Sequence, residues 1–137
     1  MACVSCGSCN YDETSVATLT YTVQTSGPRQ CADNQTKVIT GMARSGNGTW
    51  TSSVNNVDYT ASRNCNANTW GYSIVDNNPP GGGGSGGSGC TDPATNVVSN
   101  TILSTCTRYQ REQVTTYGDG STVTINVQIK ISNNGTC

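Results

Sequence analysis

Cysteine is the residue with which this chain could most readily do chemistry, since eight occur in 137 residues. Cys3, Cys6 and Cys9 follow a C-x2-C-x2-C spacing, the one run that suits bound metal. An iron–sulfur run of this kind continues with a fourth Cys three residues later, whereas Asn10-Tyr11-Asp12-Glu13 follows Cys9 here. The preferred reading is a disulfide-tied arm that anchors the N-terminus or links subunits, and neither metal nor cofactor is expected. Cys31, Cys65, Cys90, Cys106 and Cys137 stand far apart, as cysteines that close loops do. Disulfides persist only in oxidising places. The expected location is therefore extracellular, at a cell surface or on a virion exterior.

Histidine is wholly absent, which removes Ser-His-Asp and Cys-His catalysis and most proton shuttling at neutral pH. The eight carboxylates are Asp12, Glu13, Asp33, Asp58, Asp76, Asp92, Glu112 and Asp119. A glycosidase needs only two, but these are scattered over expected loops and turns, so a non-enzymatic protein is expected. The Asn-rich run from Asn64 to Asn68 lacks the acidic ligands of a calcium loop.

Two other residue groups could carry function. Trp50, Tyr59, Trp70 and Tyr72 cluster in one region. Exposed together, Trp50, Trp70 and Tyr72 would stack against sugar rings. Buried, they would supply the core mass that a chain without Phe otherwise lacks, and burial is the favoured reading. The sequons at Asn34, Asn47 and Asn134 are candidate glycosylation sites on expected turns.

Charge narrows the partners. Net charge is −1 and charged residues make up 11%, too few to neutralise a phosphate backbone. Neither nucleic acid nor a membrane surface is expected as a partner, and no apolar run approaches the ~20 residues of a bilayer span. No apolar stretch of the signal-peptide kind follows Met1. Homo-oligomers, other structural subunits and glycans remain as partners.

The elements that must position these residues read as β-strands. Val123, Ile125, Val127, Ile129 and Ile131 alternate with polar residues, as do Ala17, Leu19, Tyr21 and Val23. A period of two puts each apolar set on one face. Shorter candidates are Lys37 to Thr40 and Val54 to Thr60, while Asn96 to Ser104 reads at most as a helical turn or two. Pro79 to Gly89 is a Gly/Pro/Ser-rich linker or long loop. It separates an N-terminal β unit, 1–78, from a C-terminal one, 90–137, which looks like a diverged repeat packing on the first. The expected fold is all-β: a small disulfide-braced antiparallel sandwich, or two stacked β-hairpin units.

Asn47-Gly48 and Asp119-Gly120 suit two-residue hairpin turns. With Asn47-Gly48 as the turn, paired positions sum to about 95, which brings Cys31 against Asn64 and predicts a Cys31–Cys65 bridge. Cys106–Cys137 is the second expected pair. Such loops of about 30 residues would each contribute roughly 3–4 kcal/mol.

The function that fits is a structural subunit of an extracellular assembly, such as a filament, virion appendage or surface layer. Its subunits would be joined by strand pairing, with Val123 to Ile131 as the pairing segment, and by disulfides. The alternative is a carbohydrate-binding or adhesin module.

Overall fold

The computed structural model describes residues 3–27, 34–77 and 93–132. These form ten strands and no helix. The all-β, disulfide-braced, antiparallel class is as the alternation predicts. β1 (Cys3–Cys6) and β2 (Cys9–Asp12) make a small hairpin. β3 (Val16–Ser26), β4 (Gln35–Arg44), β5 (Thr49–Val54), β6 (Val57–Asn64), β7 (Thr69–Asp76), β8 (Ala94–Ser104), β9 (Arg108–Tyr117) and β10 (Thr122–Ser132) make one eight-stranded sheet. Its order is β7-β6-β5-β4-β3-β10-β9-β8.

Alternation decides which face is covered. Ala17, Leu19 and Val23 of β3 are buried, as are Val123, Val127, Ile129 and Ile131 of β10. β3 and β10 pair in continuous register from Ser26 against Thr122 to Val16 against Ser132. The segments on either side of the Gly-rich stretch therefore share one sheet. One buried cluster draws on both, with Leu19, Met42, Trp50 and Ala61 packed beside Val127 and Ile129.

The sheet curls. Although β7 and β8 lie at opposite ends of the strand order, Trp70 of β7 donates its indole N–H to the Thr105 carbonyl, just beyond β8, at 2.7 Å. The result is a half-barrel with the core on its concave face. The β1–β2 hairpin lies over the end that carries the β4–β5, β6–β7 and β8–β9 turns. Buried Tyr11 donates its hydroxyl to the Cys106 carbonyl at 2.7 Å, and Ser8 donates to Asn68 Oδ1 at 3.2 Å.

Both expected bridges are corrected. Cys65 bonds to Cys6 and Cys106 to Cys9, while Cys31 and Cys137 lie outside the described residues. Asn47-Gly48 does not make a two-residue turn, and the strand beyond it turns back at Asn55-Asn56, so that Asn64 lies on β6 opposite Thr69 of β7. Gly48 is pulled inward instead, accepting from the Arg63 N–H at 2.7 Å. A Cβ on it would lie 2.8 Å from Cys6 Sγ. Only Ala43–Thr51 and Arg44–Trp50 pair β4 with β5.

The tight turn sits instead at Asn55-Asn56, inside the stretch read as one weak strand from Val54 to Thr60. Both residues have positive φ, 54° and 63°, which Asn tolerates and a type I′ turn demands. Asp119-Gly120 does mark a hairpin, but with one more loop residue: Gly120 donates to the Tyr117 carbonyl at 3.0 Å and takes φ 86°. That is a turn closed by a glycine bulge.

Two further expectations change. β10 is paired on both sides, by β3 and by β9, so Val123 to Ile131 has no edge to offer another chain. Asn96 to Ser104 is not helical but belongs to β8.

Candidate functional site at the open sheet edges

The aromatic cluster is core, not platform. Trp50 is 0% exposed and Trp70 8%, which overturns the sugar-stacking role considered for them. Trp50 meets Tyr11 edge-on at 4.9 Å and lies 5.9 Å from Trp70, which in turn lies 6.4 Å from Tyr109. The Trp50 indole N–H donates to Ser15 Oγ at 3.2 Å, so its polar tip is satisfied inside the protein. Tyr72 is half-buried and packs against the same cluster. Arg63 lies buried with its guanidinium 5.7 Å from the Trp70 ring centre, a cation–π arrangement. Its Nε and Nη1 have no hydrogen-bond partner. Burial pushes the Tyr11 phenol above its ordinary pKa, and the charge of Arg63 opposes that rise.

Three of the carboxylates, Asp12, Asp58 and Asp119, are engaged at or beside turns. Asp12 is held below its ordinary pKa by hydrogen bonds from the Thr14 backbone N–H, 2.8 Å, and hydroxyl, 2.7 Å. Asp58 is lowered by hydrogen bonds from Asn77 and Ser53. Asn64 Oδ1 accepts from the backbone N–H groups of Asn66 and Ala67, both at 3.0 Å. The amide oxygen at the start of that run is thus used in the turn itself. Among the described residues no cysteine is free, and Cys3, Cys6 and Cys9 are all disulfide-bonded. At these three positions the sulfur is thus taken up in disulfides rather than held as thiolate. These bonds suggest an oxidising, extracellular-type environment, and no helix among the described residues is long and apolar enough to cross a membrane.

The candidate glycosylation sites differ in setting. Asn47 is exposed in the β4–β5 connection. Asn34 is also exposed, but its side-chain oxygen accepts from the Thr25 N–H at 2.7 Å. Asn134 lies outside the described residues. At the end of the half-barrel away from the disulfides, Tyr21, Gln35, Lys37, Val57, Ile74 and Asp76 line a cleft of about 260 Å³. That is below the roughly 300–1,000 Å³ of small-molecule sites.

What stands out is β8. All eleven of its residues are exposed, and among the described residues only β9 pairs with it. Val97, Val98, Ile102 and Leu103 are 54, 43, 56 and 38% exposed. Its register with β9 puts Val97 on the concave face, opposite Thr115, and Val98 on the convex face, opposite Val114. Apolar side chains thus stand uncovered on both faces. No residue of the strand is charged. An edge presents a row of unpaired N–H and C=O groups, and proteins usually blunt it with charge, Pro, brevity or bulges. β8 has only two register shifts, between Ala94 and Asn96 and between Thr101 and Leu103, with a regular run between them. The opposite edge, β7, differs: it is shorter, buries Trp70 and ends in Asp76.

Sequence reasoning missed this edge for a definite reason. Val97-Val98 and Ile102-Leu103 are adjacent pairs, which break the alternation that marks a strand covered on one face. The usable signal was eleven residues rich in β-branched types with no charge.

No known protein family, curated protein or solved structure matches the chain, so its function has to be read from the site itself.

Proposed function

We propose that this chain is a non-enzymatic structural subunit of an extracellular assembly, joined to its neighbours by strand pairing along β8. One observation carries the proposal: a long, uncharged edge strand is exposed over its whole length and on both faces. In an isolated molecule β8 gains little beyond its ladder with β9. Pairing with another strand would satisfy its outer backbone groups and cover Val97, Val98, Ile102 and Leu103. The two defined bridges lie within the chain, so their role is bracing, and backbone pairing makes the contact between subunits. The scarcity of charge and the buried Trp residues agree with a scaffold better than with a lectin. A glycan at Asn47 is compatible with assembly, because that turn lies at the disulfide end and not on the β8 edge.

The test is sedimentation velocity with negative-stain microscopy on the full, oxidised chain. Concentration-dependent oligomers or ordered particles are expected. A single monomeric species at every concentration up to the solubility limit overturns the proposal.

A further inference from the structure

We infer that the partner at this edge is a second copy of the chain, its β8 running antiparallel to the first about a two-fold axis at Val98. This rests on the assembly reading above and adds partner, symmetry and register to it.

The run Thr95-Asn96-Val97-Val98-Ser99-Asn100-Thr101 is nearly palindromic. An antiparallel pair centred on Val98 therefore sets like against like. Asn96 faces the partner's Asn100, Val97 faces the partner's Ser99, and Val98 faces its own copy. Such an isologous contact needs one patch that is complementary to itself. Uncharged polar side chains that hydrogen-bond across strands are favourable, and like charges directly opposite are not. β8 brings no charge to the axis.

The neighbouring strand agrees. Val98 pairs with Val114 on the convex face, so the two-fold axis completes a row of four valines across four strands. Asn100 pairs with Glu112, and Asn96 with Thr116. Across the new pair, each Glu112 lies behind an Asn–Asn contact, with Thr116 of the other copy beyond, and the two carboxylates never face each other. On the concave face Arg111 donates to Ser99 Oγ at 2.7 Å, so that cation is already engaged inside its own chain. The register shifts on either side leave Asn96 to Thr101 as a regular run, long enough to hold the centre of the pairing. The β7 edge has no such self-complementarity, and it ends in an acid.

The register is read with a single new cysteine, because no described cysteine is free. Residues directly opposite in an antiparallel pair have Cα atoms about 4.5 or 5.5 Å apart, and both distances lie within disulfide reach. Val98→Cys should cross-link to a covalent dimer under mild oxidation, whereas Val75→Cys on β7 should not cross-link with itself. Val98→Lys and Val98→Glu should each weaken self-association by roughly a hundredfold or more, since like charges would meet at the axis. An equimolar mixture of the two should restore a heterodimer. Circular dichroism matching the parent shows that each variant is folded.

If Val98→Cys stays uncrosslinked while the parent sediments as an oligomer, the two-fold pairing is wrong and the assembly reading stands. Cross-linking only between Val98→Cys and Val75→Cys would mean head-to-tail joining of β8 to β7, which also overturns it. A parent that is monomeric throughout sinks both.

Discussion

At the scale of single residues, the energetics concentrate in Trp50. It is fully buried, touches Tyr11 and Trp70, and is satisfied by Ser15. Trp50→Ala removes that mass from a thin core and should cost about 3–5 kcal/mol, read from the midpoint of chemical denaturation. Trp50→Phe should cost less, chiefly the lost bond to Ser15. Asp12 makes the fold sensitive to acid. Its folded pKa is depressed, first by the Thr14 backbone hydrogen bond. The stability it contributes is therefore present above its ordinary value of 3.8 and is lost as pH falls through the lower folded value. Asp12→Asn should flatten the decline of stability in that acid window and lower stability at neutral pH, where the carboxylate's contribution is fully present. Melting curves across the acid range will show it, and an unchanged acid slope would remove Asp12 from the account.

At the scale of elements, β5 and β6 are joined by two consecutive residues with positive φ, Asn55 and Asn56. Residues other than Gly, Asn and Asp pay for that conformation, roughly 1–2 kcal/mol each. Replacing both with Ala should lower stability by about 2–3 kcal/mol. Replacing Asn56 with Gly should leave stability within about 0.5 kcal/mol of the parent or raise it. Thermal unfolding of the three proteins orders them, and an unaffected double-Ala variant would contradict the turn. The same scale explains the contrast between the two longest-patterned strands. β10 alternates cleanly because its apolar face packs on the core. β8 does not alternate because neither of its faces packs on anything within the described chain.

At the scale of the whole molecule, the N-terminal hairpin acts as a clasp. Cys6–Cys65 and Cys9–Cys106 close loops with sequence separations of 59 and 97. In the chain-entropy model they contribute about 4 and 5 kcal/mol, comparable with the ~5–15 kcal/mol net stability of an ordinary domain. Removing the Cys9–Cys106 pair, with both cysteines changed to Ala, should therefore destabilise more than removing Cys6–Cys65. Full reduction should abolish cooperative unfolding at moderate temperature, as calorimetry with and without reductant will show. A reduced protein that melts like the oxidised one would refute the clasp.

The sequence alone carried the class of this protein. Alternating Val123 to Ile131 and Ala17 to Val23 could only be strands covered on one side. Scarce apolar residues and abundant cysteine pointed to crosslinks, and core was the favoured place for Trp50 and Trp70 because a chain without Phe has few other large apolar side chains. These are local properties, set by the period of the chain and by what its side chains can bury. Pairing was decided by the tertiary structure alone. Which cysteine meets which depends on the curl of the sheet, which brings turns distant in sequence to one end under the β1–β2 hairpin. Which strand keeps an open edge depends on the order β7-β6-β5-β4-β3-β10-β9-β8. A strand's own residues record which of its faces is buried. They do not record whether another strand lies beside it, because backbone N–H and C=O groups are the same in every residue but proline.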